Sequence, residues 1–145
     1  MTADDIITAA RTALGTPFRH QGRIAGRGLD CAGLLIHVGR TLGVDHHDRS
    51  GYARLPTNGQ LEEALEEHVE MGVLYRIPAS DVRAGDLVLM QFEGENAARH
   101  LGLCAGDTLI HSWAIARKVC EHDFDAAWKR RVVRAFRFVE LEHGR

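Results

Sequence analysis

The chain has 145 residues, 45% of them hydrophobic and 26% charged, with 18 Lys and Arg against 20 Asp and Glu. That length fits one domain, residues 1–145, around one core, and the composition is that of neither a disordered chain nor one carrying a membrane span. A net charge of -2 gives no electrostatic reason to expect nucleic acid or anionic lipid as a partner, so no nucleic acid and no membrane insertion are expected.

Thr2 followed by Asp5 reads as a capping box, and the spacing of Ile6, Ala10, Ala13 and Leu14 predicts a helix over 3–14 that Gly15 and Pro17 stop. The first five residues are acidic where a secretory signal is basic, and no apolar signal core follows, so synthesis in the cytoplasm without a signal peptide is expected. Residues 15–29, with four glycines and Arg19, Arg23 and Arg27, read as loop. Asp30 is a good N-cap for a helix with the apolar stripe Leu34, Leu35, Val38 and Leu42, closed by Gly43, which puts Cys31 in its first turn. After an irregular stretch over 46–56, Thr57 or Asn58 can cap an amphipathic helix carrying Leu61, Ala64, Leu65 and Val69, with five glutamates on its wet face. Gly85-Asp86 then turns into a buried strand, Leu87 to Met90.

The segments 100–105 and 108–113 flank Gly106-Asp107, a two-residue hairpin signal. Further strands are expected over 132–139 and near 115–120. Helices in the first half and antiparallel strands in the second make this an α+β chain, with N-terminal helices packed on a small antiparallel sheet.

Three cysteines, Cys31, Cys104 and Cys120, fit neither a disulfide framework nor a four-cysteine zinc site, so at least one thiol is free to react. A helix N-terminus favours a thiolate and offers unpaired amides to an oxyanion, which marks Cys31, although a cysteine on an apolar helix stripe is more often core. The hairpin fixes register. Ala105 pairs with Thr108, so Gly102 lies opposite His111 and His100 opposite Trp113, all on one face, with Gly102 leaving open space beside two diagonal histidines. Nucleophile, base and orienter follow as Cys31, His100 and His111, against the bland reading of structural histidines. Cys104 shares that face and is the rival nucleophile. His46-His47-Asp48 and the pair Cys120 and His122 lack complementary metal-ligand spacing, so no metal is expected. Gly22 to Gly28 lacks a phosphate-loop ending, and Trp113 and Trp128 read as core rather than substrate platforms.

The ordered set Gly15-Thr16-Pro17-Phe18, Gly28-Leu29-Asp30-Cys31-Ala32-Gly33-Leu34-Leu35, Ala84-Gly85-Asp86-Leu87-Val88, His100-Leu101-Gly102-Leu103 and Ile110-His111 resembles the landmarks of NlpC-type cell-wall cysteine peptidases. The stretch Gly51 to Pro56, with Tyr52, resembles the compact catalytic domains encoded with phage tails and gene-transfer agents. The resemblance implies a papain-like core, no cofactor, and cleavage of peptidoglycan stem peptides at the bond between D-glutamate and a diamino acid. It implies Cys31, His100 and His111 as the triad, Asp30 and Tyr52 as substrate-binding residues, and phage or gene-transfer-agent tail proteins as partners that carry the enzyme to the wall. Amidase or acyltransfer chemistry on the same thiol, or a non-enzymatic tail component, are the alternatives. Ala32 stands where the family often has serine.

Overall fold

The computed structural model describes residues 1–48 and 59–141. The capping box forms: the Thr2 hydroxyl accepts from the Asp5 amide, and Asp5 accepts from the Thr2 amide, at the start of α1 (Ala3–Arg11). This helix ends three residues before the expected stop, at a Thr12 C-cap. Asp30 caps α2 (Cys31–Leu42) through the Gly33 amide at 2.7 Å, and Gly43 closes it in the left-handed conformation. α3 (Gln60–Glu70) takes Gly59 as N-cap, without a side-chain bond, rather than the expected Thr57 or Asn58, which lie outside the described residues.

Five elements differ from expectation. The presumed loop before Asp30 holds a small antiparallel pair, β1 (Arg23–Ile24) and β2 (Gly28–Leu29). β3 (Leu74–Ile77), too short for a period to register, is an edge strand paired with β8 (Val132–Phe138), and α4 (Ala126–Lys129) is a single capped turn. The strand expected near 115–120 lies at Lys118–Asp123 as β7, because residues 114–117 form the turn and Arg117 supplies a positive φ of 64°. With β4 (Leu87–Met90), β5 (His100–Cys104), β6 (Thr108–Trp113) and β8 (Val132–Phe138), the six strands run β3-β8-β4-β5-β6-β7, antiparallel throughout.

Alternation along these strands builds two cores. Leu87, Leu89, Leu101, Leu103 and Ile110 pack with Ile6, Leu34 and Val38 of α1 and α2. Val88, Met90, Cys104 and Leu109 face the other way, against Phe124 and Trp128. At the start of β4 a buried ion pair ties β8 to the preceding turn: Arg137 donates from Nε and Nη2 to the two oxygens of Asp86, each at 2.8 Å, and from Nη2 to the Asp81 carbonyl at 3.2 Å.

Gly33 has its own structural reason. A Cβ there would stand 2.1 Å from the Gly22 carbonyl oxygen, which belongs to backbone and cannot swing aside. Gly33→Ala should therefore lower stability by about 2 kcal/mol or more and push the 19–23 segment off the start of α2. Urea unfolding reads the first effect; an unchanged midpoint would show that the segment yields freely.

Candidate active site

The hairpin register is as expected: Cys104 pairs with Leu109, Leu103 with Ile110, and the Ala105 amide donates to the Thr108 carbonyl at 2.8 Å. His100, Gly102, His111 and Trp113 therefore share a face. It is not the face on which α2 packs, since Leu101 and Leu103 meet that helix. The way across is a split in the sheet. β5 stays paired to β4 as far as His100, and β6 stays paired to β7 as far as Trp113, but β5 and β6 are laddered only at Leu103↔Ile110 and Cys104↔Leu109. The start of α2 sits at the opening: the Ser112 hydroxyl donates to the Leu29 carbonyl at 2.6 Å, and the Leu101 amide faces the Cys31 sulfur. A helix on one face thus presents its first-turn thiol beside the strand that carries His100.

The histidines form a chain. His100 Nε2 lies 2.5 Å from His111 Nδ1, His111 Nε2 lies 2.8 Å from His122 Nε2, and His122 Nδ1 lies 2.9 Å from the Asp123 carbonyl oxygen. A carbonyl only accepts, so His122 carries its proton on Nδ1 and offers a lone pair at Nε2. His111 must then donate from Nε2 and accept at Nδ1, and His100 must donate from Nε2. One backbone carbonyl thereby fixes three tautomers and leaves His100 Nδ1 as a proton acceptor. Burial pushes His100 down to about 4 and His111 down to about 2, the latter helped by the neighbouring His100 and His122, so both imidazoles are neutral at pH 7.

The thiol differs from expectation. Burial first, then the Asp30 carboxylate, pushes Cys31 up to about 12, outweighing the Leu101 and Ala32 amides and Arg23. The helix start does not by itself hold a thiolate here, and the resting pair is a neutral thiol beside a neutral imidazole.

Gly102 is not open space. A Cβ on it would approach Leu109 Cδ1 to 2.9 Å and Met90 Cε to 3.1 Å, so the bare glycine lets the second core close under the histidines. Cys104 is buried in that core, where its sulfur contacts Gly106, and four residues of strand set it about 13 Å from His100. Asp30 is 4% exposed, and its carboxylate takes the Gly33 and Gln21 amides and Arg23 Nη1. Ala32 lines a groove between α2 and α3 with Leu35 and Leu61. Tyr52 and the 51–56 stretch lie outside the described residues. Along the chain Cys120 and His122 lack complementary metal-ligand spacing, but the β6–β7 pairing brings in a third side chain from another strand, His111, directly opposite Cys120. The indoles are not simply core: Trp113 stacks on His111 at 5.4 Å and Trp128 lies 4.7 Å from His122, each partly exposed.

Residues 15–137 match the sequence model of the NlpC/P60 family, a span that takes in the helix-start cysteine, the split sheet and the histidine chain. The chain belongs to the NlpC/P60 family. It is 30% identical over 113 residues to a gamma-D-glutamyl-L-lysine dipeptidyl-peptidase of Bacillus subtilis (strain 168), an alignment covering 77% of this chain and 32% of that relative's length. Among solved structures it resembles the NlpC/p60 domain of the peptidoglycan hydrolase SagA, with a TM-score of 0.60, 23% identity and coverage of 93% of this chain and 97% of that one. It also resembles RipD of Mycobacterium tuberculosis, described as a non-catalytic NlpC/p60 domain protein adapted to peptidoglycan binding, with a TM-score of 0.58, 17% identity and coverage of 94% and 96%. At these identities the structural likeness establishes the fold, and the family's papain-like α+β architecture is the one expected from the sequence.

Proposed function

We propose that this NlpC/P60 chain is a cysteine peptidase that cleaves peptidoglycan stem peptides between D-glutamate and the diamino acid, with Cys31 as nucleophile, His100 as base and His111 as its orienting partner. The observation that carries this reading is the histidine chain, which leaves His100 with a lone pair at Nδ1 next to the strand segment whose amide faces the thiol. The relative named for the gamma-D-glutamyl-L-lysine bond supports the choice of substrate. His100 Nδ1 takes the thiol proton as sulfur bonds to the scissile carbonyl carbon. The oxyanion that forms is met by first-turn amides of α2, which have no acceptor within the helix. Collapse breaks the C–N bond, and the proton on His100 leaves with the amine. Water then attacks the thioester, giving its proton to His100, and the thiol returns with release of the acid. In this reading Asp30 helps receive the stem peptide's free amine and Tyr52 is a further substrate-binding residue.

Mass spectrometry of muropeptides after incubation with purified peptidoglycan tests it: the stem should be cut after D-glutamate. Release of whole stems from the glycan would mean an amidase instead, and transfer of the acyl group to an added amine an acyltransferase.

The neutral pair has a kinetic signature. Because the thiol is raised to about 12, alkylation of the free protein by iodoacetamide at pH 7 should be slower than that of free cysteine and should rise about tenfold per pH unit into the alkaline range. A plateau between pH 5 and 7, the mark of a preformed thiolate and imidazolium, would refute a neutral resting site.

A further inference from the structure

We propose that His111, Cys120 and His122 form a binding site for a soft divalent cation of the zinc type, and that its occupancy switches off the thiol site. The β6–β7 pairing sets His111 opposite Cys120, with His122 two residues along on the same face, and one donor atom from each lies within 4.8 Å of the others. Around a tetrahedral zinc with nitrogen ligands at about 2.0 Å and sulfur at about 2.3 Å, donor atoms stand roughly 3.3 to 3.8 Å apart. The 2.8 Å between the Nε2 atoms of His111 and His122 therefore needs to open by only about half an ångström.

Three further features fit a metal. His122 already donates Nδ1–H to the Asp123 carbonyl, the outer-shell bond that aims an imidazole lone pair at an ion. Two imidazoles and a thiol select zinc-like or copper-like ions over magnesium or calcium. Trp113 and Trp128 wall the site, while Cys120 and His122 are half-buried and leave an approach from the β7 side. Binding releases the Cys120 proton to solvent as the metal–sulfur bond forms.

The inhibitory half rests on the proposed peptidase mechanism. An ion on His111 Nε2 forces the neutral ring to carry its proton on Nδ1. That N–H then donates to His100 Nε2, so His100 must hold its own proton on Nδ1 and can no longer accept one from Cys31. The base is lost without any contact between metal and nucleophile.

Cobalt(II) titration of the full chain carrying Cys31→Ala tests binding apart from activity. A stoichiometric thiolate-to-cobalt charge-transfer band with tetrahedral visible bands is expected, and adding Cys120→Ser should remove it. No band in Cys31→Ala, or a band that survives Cys120→Ser, overturns the site. His122→Gln, which keeps an acceptor for His111 but is a poor ligand, should weaken cobalt binding about tenfold or more. Zinc should then inhibit wild-type hydrolysis reversibly, and that inhibition, taken against each variant's own chelator-treated rate, should fall about tenfold in Cys120→Ser. Binding without inhibition overturns the switch, whereas an inactive chelator-treated wild type overturns the peptidase reading and leaves the cobalt result standing.

Discussion

Cys31→Ala is expected to lower kcat on purified peptidoglycan by about 10⁴-fold or more, with folding intact. The side chain is half-buried at the end of a helix whose cap, Asp30 to Gly33, does not involve it, so the thiol can go without disturbing α2. His100→Ala should have a comparable effect, and the double variant should be no worse than either single one, because nucleophile and base act as a unit. Rates with muropeptide products resolved by mass spectrometry decide the matter. If Cys31→Ala remained active while Cys104→Ala did not, the nucleophile would be the cysteine of the second core. The buried position of Cys104 and its distance along β5 from His100 argue against that outcome.

Arg137→Ala should destabilise the fold by about 3 to 5 kcal/mol, measured by urea unfolding. Asp86 is fully buried and Arg137 is 4% exposed, so removing the guanidinium strands a buried carboxylate with the Arg83 amide at 2.7 Å as the remaining partner of its side chain among the described residues. The pair also joins β8 to the turn that launches β4, so its loss loosens the strands behind the histidines. Asp86→Leu with Arg137→Met, which removes both charges together, should recover much of the loss. A single variant within 1 kcal/mol of wild type would mean that water reaches Asp86. The landmark Ala84-Gly85-Asp86 thus has a structural basis in this buried ion pair.

The site was legible where chemistry is local. Asp30 caps, Gly43 closes and the two-residue turn at 106–107 sets register because each depends on a few adjacent residues, and all three stand as read. From that register came the shared face of His100 and His111. What went unread depended on partners distant in the chain. β3 is four residues long and is held by β8 at separations of about sixty residues, and β7 lies three residues later than expected because no sequence signal marks Arg117 as the left-handed corner of its turn. The partner that joins Cys120 and His122 lies on another strand, out of reach of spacing along the chain. With β7 in its true register, Cys120 faces His111 and His122 closes the chain of imidazoles.

By itself the sequence determined the three long helices, the α+β class and the hairpin, and it marked Cys31, His100 and His111 as candidates, since periodicity, capping and turn chemistry are encoded over a few residues. Only the tertiary structure decided where the cysteine and the histidines stand. The split between β5 and β6 opens where the first turn of α2 meets Leu101, burial leaves Cys31 a thiol rather than a thiolate, and a single carbonyl at Asp123 sets the proton positions back to His100. Desolvation and tautomer choice belong to the sum of surrounding atoms, and no short stretch of residues contains that sum.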